Sequence, residues 1–174
     1  MIEILILYVV FNREKTIYSI RKEIIEFFGT FTKPSLGAIH PALKRLLDKK
    51  HVQLTERISE GGKKSSYYTI LDSGKKYFKE LFFSDISENP SLFYSQLQAR
   101  FATIGILSEE EKSKFLSQIL NKIDLFSFEV ENRLNNEYID FDLYQKELLR
   151  YTLQEIAFMK KFVLNLKDSN AGNN

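Results

Sequence analysis

The chain has 174 residues, with 25 Lys/Arg against 23 Asp/Glu and no cysteine. This length corresponds to one or two domains, and the absence of cysteine excludes disulfides and thiolate metal sites and is typical of a reducing cytoplasm. The charge is segregated, because residues 1–83 hold 15 Lys/Arg against 9 Asp/Glu (net +6) and residues 84–174 hold 10 against 14 (net −4). The basic half predicts a polyanionic partner, which the acidic half should avoid.

Two apolar helices open the chain. Residues 4–11 are apolar but too few to cross a bilayer, and no basic leader precedes them, so we expect a buried first helix rather than a signal peptide or an anchor. The second helix is predicted over Ile17 to Phe28 and ends at Gly29. Its apolar face comprises Ile17, Ile20, Ile24, Phe27 and Phe28.

A third helix follows, and Ser35 is predicted to cap its N-terminus. Its apolar positions are Leu36, Ile39, Leu43, Leu46 and Leu47, which leaves Gly37, His40, Lys44 and Asp48 facing outward. Pro41 removes one helical hydrogen bond, so we expect the helix to continue through it with a slight bend in its early turns.

After this helix the apolar residues recur at every second position, which is the spacing of the strands of a β-hairpin. Val52 and Leu54 alternate with polar residues, residues 60–62 form a glycine turn, and Tyr68 and Ile70 alternate on the return. A hairpin of this size is not stable alone, so it must pack on the helices. Asp72 is then expected to cap a fourth helix.

This order of elements predicts a winged helix-turn-helix, in which the third helix and the hairpin, or wing, enter the grooves of DNA. Lys63 and Lys64 flank the wing glycines and are assigned to phosphates, whereas Lys44 is placed to reach a base edge or a phosphate. The alternative for each lysine is a solubilising surface charge. The predicted DNA contacts are Lys33, Ser35, Gly37, His40, Lys44, Lys63 and Lys64.

The second half is predicted to be helical. Residues 84–90 are polar and form the expected linker, residues 92–106 have a helical pattern, and Ser108 with Glu111 forms a capping box before a long amphipathic helix. The last helix, about residues 141–167, is apolar on two sides, so we expect a second copy of the chain to cover one of them. We assign that homodimer interface to Leu149, Leu153, Ile156, Val163 and Leu166.

The expected architecture is therefore mainly α-helical. It consists of a winged-helix domain of three helices and a wing over residues 1–83, a linker over 84–90, a helical dimerisation domain over 91–167, and a disordered tail over 168–174.

Several motifs resemble the PadR family of bacterial transcriptional regulators. They are Ser35-x-Gly37-x-Ile39-x-Pro41-Ala42-Leu43-Lys44-Arg45-Leu46, Gly61-Gly62-Lys63-Lys64, and Tyr67-Tyr68-Thr69-Ile70-x-Asp72-x-Gly74. The resemblance covers the N-terminal half and extends more loosely over the C-terminal half. It implies a dimeric repressor that binds an inverted-repeat operator in double-stranded DNA. His40 stands where the family more often has tyrosine, and Leu71 where threonine is usual.

The same resemblance implies a small aromatic effector. Its candidate pocket residues are Tyr18, Phe93, Leu97, Arg100, Phe101 and Tyr151. For each aromatic residue the alternative is ordinary core or dimer packing. Arg100 lies in an apolar stretch and is expected either to pair with a carboxylate of the acidic half or to bind an acidic ligand.

Two other functional classes compete with a DNA-binding regulator. An enzyme has little support, because the sequence shows no glycine-rich phosphate loop, no cysteine nucleophile and no histidine pair at metal-ligand spacing. A winged helix that binds protein would expose apolar residues where Gly37, His40 and Lys44 lie. We therefore expect a cytoplasmic DNA-binding regulator without metal, cofactor or membrane partner.

Overall fold

The computed structural model of the chain describes residues 1–58, 64–87 and 90–171. Within these ranges the fold is mainly helical, with a two-stranded antiparallel hairpin. It divides into two compact units, Met1–Ile106 and a second that begins at Leu107. The first unit contains α1 (Ile2–Val9), α2 (Ile17–Phe28), α3 (Leu36–Asp48), β1 (Val52–Ile58), β2 (Lys64–Ile70), α4 (Asp72–Phe83), α5 (Pro90–Thr103) and a 3₁₀ turn (Ile104–Ile106). The second contains α6 (Glu109–Leu134) and α7 (Leu143–Ala171).

Helix α1 is the centre of the first unit, as the apolar opening run predicts. Leu5, Ile6 and Leu7 are fully buried, and the helix packs against α2, α3, α4 and α5. Each such burial contributes about 1.5–3 kcal/mol before the entropy cost of ordering is counted. In the described ranges no helix combines the length and the hydropathy that a bilayer crossing requires.

Helix α2 has the predicted bounds. The hydroxyl of Thr16 accepts a hydrogen bond from the Ser19 backbone N–H at 3.2 Å and caps its N-terminus. Ile20, Ile24 and Phe28 face the core, but Phe27 is 58% exposed. The apolar face is narrower than predicted, because Phe27 lies about 100° round the helix from Phe28.

Helix α3 begins at the predicted cap, where the Ser35 hydroxyl accepts a hydrogen bond from the Ala38 N–H at 3.3 Å. Ile39, Leu43 and Leu46 are buried. The helix is continuous through Pro41, as expected. A proline at this position lacks the N–H that would have bonded to the carbonyl of Gly37.

The wing pairs β1 with β2 in antiparallel register, from Val52 opposite Ile70 to Ile58 opposite Lys64. Lys15, in the loop between α1 and α2, forms an isolated antiparallel bridge to β2: its N–H donates to the Tyr68 carbonyl at 3.0 Å, and the Tyr68 N–H donates to the Lys15 carbonyl at 2.8 Å. Tyr68 and Ile70 face inward as predicted, whereas Leu54 is 43% exposed. The predicted glycine turn and Lys63 lie outside the described residues.

Helix α4 corrects one capping prediction. The N-cap residue is Leu71, whose side chain makes no capping hydrogen bond, and Asp72 is the first helical residue. Asp72 forms an ion pair with Lys75 at 3.1 Å and still places negative charge at the positive end of the helix dipole. Gly74 packs directly on the His51 backbone, since an added Cβ would lie 2.1 Å from the His51 carbonyl oxygen.

Helix α5 belongs to the first unit, so the compact division follows Ile106 instead of the predicted linker at 84–90. The helix packs against α1 and α2, and its Arg100 reaches the end of α4. Residues 88 and 89 of the expected linker lie outside the described residues. The helical domain predicted over residues 91–167 therefore includes the end of the first compact unit as well as the second unit.

The second unit is a hairpin of two long helices. The predicted capping box is present at Ser108 and Glu111, and the antiparallel packing is marked by an ion pair between Lys160 and Asp124 at 2.6 Å. α7 continues to Ala171, so residues 168–171 are helical and the predicted disordered tail is wrong there. Residues 172–174 lie outside the described ranges.

The hairpin already buries two residues of the predicted dimer interface within one chain. Ile156 and Val163, at the centre of the series Leu149, Leu153, Ile156, Val163 and Leu166, are only 3% and 0% exposed within a single chain. α7 packs on α6 along its length, so this side of α7 is already covered. The opposite side of α7 carries apolar side chains that stay exposed, namely Tyr144, Leu148, Tyr151, Phe158 and Phe162.

Candidate nucleic-acid interface

The outward side of α3 has the composition of a nucleic-acid surface. Gly37, His40, Lys44 and Asp48 are all exposed or partly exposed, as predicted. His40 and Lys44 are four residues apart and so lie one above the other on the helix. Gly37 adds no side chain, and an added Cβ would find only the Ser35 hydroxyl, at 3.5 Å. The surface is therefore polar, with a bare backbone near the N-terminus of α3 and a cation one turn beyond His40.

The segment that enters α3 is held in place by a residue that the sequence did not identify. Arg21 of α2 donates from its Nε to the Pro34 carbonyl at 3.3 Å, which connects α2 to the start of α3. Lys33 and Ser35 on either side of Pro34 are exposed. Two predicted contact residues thus flank the N-terminus of α3, where unpaired backbone N–H groups and the helix dipole favour anions.

The far side of α3 is tied to α1 and α4. The Arg45 guanidinium donates to the Glu3 carboxylate at 2.7 Å, and the Tyr77 hydroxyl donates to the same carboxylate at 3.0 Å. Burial, followed by the bond to Glu3, raises the pKa of Tyr77. The His51 ring stacks on Tyr77, with centroids 4.1 Å apart. Arg45 therefore connects α3 to α1 through this ion pair.

The described part of the wing carries two ion pairs of different kinds. Lys64 pairs with Glu56 on the neighbouring strand at 2.7 Å, so its charge is partly compensated. Arg57 forms a bidentate pair with Glu14, in the loop before α2, at 2.5 and 2.9 Å. Its guanidinium also lies over the Tyr67 ring, 5.2 Å from the centroid. The sequence did not identify this pair because Glu14 and Arg57 are 43 residues apart.

The predicted effector residues differ widely in burial, and a pocket shared by them stays a prediction. Arg100 is 5% exposed and Leu97 is 2% exposed. Phe93 is also buried, whereas Tyr18 is 71% exposed on the surface of α2. Phe101 lies on α5 with intermediate exposure. Tyr151 belongs to the second unit, where its hydroxyl donates to Glu155 at 2.8 Å.

Arg100 has a structural role, and the carboxylate or acidic ligand predicted for it stays a prediction. It donates to the carbonyls of Leu81, Phe82 and Ser84 at 2.7–3.1 Å, which are carbonyls at the end of α4 that lack helical partners. Burial lowers the pKa of the Arg100 guanidinium, but these acceptors are satisfied only by its charged, donor-rich form. Arg100 thus caps α4 from α5.

A different cavity, of about 260 Å³, lies in the first unit beside the loop after α1. Tyr8 and Phe27 supply aromatic walls, and Asn12 and Arg13 supply polar groups. Lys15 and Glu23, which pair with each other, close one side. Among the residues that the structure describes, no cluster of three or more metal-ligating side chains is found.

Comparison with known proteins places these features in a family. A family model described as the transcriptional regulator PadR-like family matches residues 6–80. A PadR-like transcriptional regulator from Bacillus cereus is 32% identical over 45% of this chain and 74% of its own, with a TM-score of 0.39. A comparison with curated proteins found no match.

Two further structures are similar over nearly the whole chain, and both are of Bacillus subtilis PadR. The complex with operator DNA is 19% identical over 97% of this chain and 98% of its own, with a TM-score of 0.44. The complex with p-coumaric acid is 20% identical over 97% and 94%, with a TM-score of 0.38.

Proposed function

The chain belongs to the PadR-like family of transcriptional regulators, and we propose that it represses transcription as a homodimer bound to an inverted-repeat operator. The main support for the proposal is that the outward side of α3 is polar. His40 and Lys44 are exposed there, beside a wing whose predicted tip is basic. An enzyme or a protein-binding module would not need this polar surface. A regulator of this kind acts on the chromosome, so we place it in the cytoplasm.

Helix α3 enters the major groove in this proposal. His40 and Lys44 face the base edges, and Lys33 and Ser35 contact phosphates at the N-terminus of α3. Gly37 allows the backbone to approach the DNA closely, because no side chain intervenes. Lys63 and Lys64 of the wing contact phosphates. Since Lys64 also pairs with Glu56, its binding to a phosphate competes with that pair and contributes less than Lys63 does.

The homodimer forms through the uncovered side of α7. Tyr144, Leu148, Tyr151, Phe158 and Phe162 are exposed, and with Glu155 they recur at alternating intervals of four and three residues, the spacing of a helix-packing seam. The 29 residues of α7 extend over about 40 Å, at 1.5 Å per residue. A second copy is the occupant that this seam fits, because an isologous dimer covers it with itself and presents two α3 helices to two half-sites.

Glu155 is the one acid in this seam. The Tyr151 hydroxyl donates to it and, in doing so, raises the pKa of Tyr151. A carboxylate that already accepts a hydrogen bond is less costly to cover than a bare one. In the proposed dimer the Tyr151–Glu155 pair therefore sets the register of α7 against its copy, as isolated polar residues do in coiled coils.

Release from DNA by a small aromatic molecule is the regulatory part of the proposal. The cavity beside Asn12 and Arg13 is the site that the structure supports, because it joins aromatic walls to an exposed guanidinium. This composition suits an aromatic acid. Such a ligand weakens DNA binding only by its preference for the non-binding conformation, so we expect a coupling of about 1–3 kcal/mol.

Selection from a pool of random-sequence DNA tests the proposed function and identifies the operator in the same experiment. The purified full chain should enrich an inverted repeat whose half-sites lie about one helical turn, 10 bp, apart. The control is Lys44→Ala taken through the same rounds, which should enrich a degenerate half-site. Recovery of unrelated sequences by the wild-type chain would contradict operator binding and favour a protein-interaction module.

A further inference from the structure

We propose that Glu14 and Arg57 form a clamp that holds the wing in the orientation needed for DNA, so that Arg57 is a positioning residue and does not itself contact DNA. The proposal rests on the proposed function, since it concerns how the wing reaches phosphates. It assigns a role in DNA binding to a carboxylate, a group that a polyanion would ordinarily repel.

The clamp is needed because the outer part of the wing extends beyond the backbone bridge that joins the wing to the rest of the first unit. Among the described residues, the outermost backbone hydrogen bond between the wing and the rest of the unit is at Tyr68, which bonds to Lys15 and pairs with Leu54. Strand β1 continues past Leu54 to Ile58, which is 73% exposed. A free two-stranded hairpin is marginally stable and flexible. Side-chain contacts must therefore orient this outer part of the wing.

Arg57 is placed to provide that contact. It lies opposite Ser65, one pair from the described end of the hairpin, and both of its terminal nitrogens are engaged by the Glu14 carboxylate. A bidentate pair fixes the direction as well as the distance between its partners. The Tyr67 ring under the guanidinium restricts its remaining freedom.

The loop that carries Glu14 is itself fixed by backbone hydrogen bonds, an ion pair and a helix cap. Lys15, the next residue, is bonded to Tyr68 through its backbone and to Glu23 of α2 through its side chain. Thr16 caps α2. The Glu14 carboxylate, which binds the wing, is thus held in a loop that is itself bonded to both β2 and α2.

The ion pair between Glu56 and Lys64 provides a matched comparison with the Glu14–Arg57 clamp. Glu56 and Lys64 lie on adjacent strands of the same hairpin, so their pair joins the wing only to itself. Removing the Glu56 charge frees Lys64 for a phosphate and reduces repulsion. Removing the Glu14 charge breaks the clamp and leaves the outer part of the wing without a fixed orientation. The two carboxylates therefore have opposite predicted effects on DNA affinity.

The experiment measures the affinity of the full chain for the selected operator by fluorescence anisotropy at several salt concentrations. Glu14→Gln should weaken binding about fivefold, in the range of a good surface ion pair converted to affinity, although it makes the protein less negative. Glu56→Gln should bind as tightly as wild type or more tightly. Melting temperatures of both variants serve as the control for folding.

A double-mutant cycle separates positioning from direct contact. Arg57→Gln, Glu14→Gln and the double variant should all lose about the same fivefold, because each breaks one clamp. The dependence of log affinity on log salt should keep its slope, whereas loss of a phosphate contact lowers it by about one unit. Arg57→Lys keeps the charge but not the bidentate geometry, so it should resemble Arg57→Gln.

The proposal is overturned if Glu14→Gln binds as well as wild type or better, if the two single effects add in the double variant, or if Arg57→Gln lowers the salt slope. Failure of the wild-type chain to bind any selected DNA would instead contradict the proposed function itself.

Discussion

The two compact units differ in how completely one chain covers its apolar surface. In the first unit α1 is surrounded by four helices, and the surface that remains on α3 is polar and charged. In the second unit α6 covers one side of α7, while aromatic residues on the other side, such as Tyr144 and Phe158, are 82% and 76% exposed. The core of the first unit is therefore closed around α1, and its α3 surface suits a polar ligand, whereas the second unit leaves an open apolar side that suits an apolar partner.

The largest expected effect comes from placing a charge on the open side of α7. Phe158→Glu should convert the dimer to a monomer, because a covered carboxylate without a partner costs several kcal/mol. Loss of the second half-site should then weaken operator binding about 100-fold or more. Sedimentation velocity gives the oligomeric state, and anisotropy gives the affinity.

Ala157→Glu is the matched control, since it introduces the same charge at the neighbouring exposed position of α7 but outside the seam. It should leave the dimer intact. A dimer that survives Phe158→Glu would show that the open side of α7 is not the interface.

Within the closed unit the largest effect should come from Arg100. Arg100→Ala leaves the buried Phe82 carbonyl without its donor and removes one donor each from the Leu81 and Ser84 carbonyls, so we expect a loss of about 3 kcal/mol in the free energy of unfolding. Arg100→Lys should recover less than half, because an ammonium does not reproduce the fork of donors. Urea denaturation followed by circular dichroism measures both, and near-wild-type stability of Arg100→Ala would refute the capping role.

The polar surface of the first unit is tested at Lys44. If Lys44 contacts a base, Lys44→Ala should cost about 1–3 kcal/mol of binding free energy on the selected operator and far less on random DNA. Anisotropy titrations on both DNAs give the comparison. Equal losses would demote Lys44 to a phosphate contact, and no loss on either would contradict the docking of α3.

The smallest expected effect concerns the turn between α3 and β1. Lys50 adopts a φ of 56°, a left-handed conformation that costs a side-chain-bearing residue about 1 kcal/mol. Lys50→Gly should therefore stabilise the first unit by about 0.5–1 kcal/mol. Asp48→Gly, in the last turn of α3, should destabilise it by a similar amount, and thermal unfolding of the two variants should shift in opposite directions.

Local features of the fold could be predicted from the sequence, and contacts between distant residues could not. The bounds of α2, the Ser35 cap and the Ser108–Glu111 capping box each depend on residues within one or two turns of a helix. The role of Arg100 depends on the end of α4, and the clamp joins Glu14 to Arg57. No local pattern pairs such residues, so the sequence suggested a ligand for Arg100 and no role for Arg57.

The two apolar sides of α7 show the same limit of prediction from local sequence patterns. Both series of apolar residues were visible in the sequence, and both have helix-packing spacing. Which of them α6 would cover depends on the approach of α6, which the pattern of α7 alone does not specify. The interface was therefore assigned to the side with Ile156 and Val163, and the structure leaves the side with Leu148 and Phe158 uncovered.

The central claim is that the open side of α7 joins two closed DNA-binding units on one inverted repeat. The most direct measurement compares the affinity of the wild-type chain for the selected repeat with its affinity for the same duplex carrying one scrambled half-site. We predict a loss of about 100-fold or more for the wild type and a loss below about threefold for Phe158→Glu, which engages only one half-site in either duplex. Equal affinities of the wild-type chain for the two duplexes would contradict the claim.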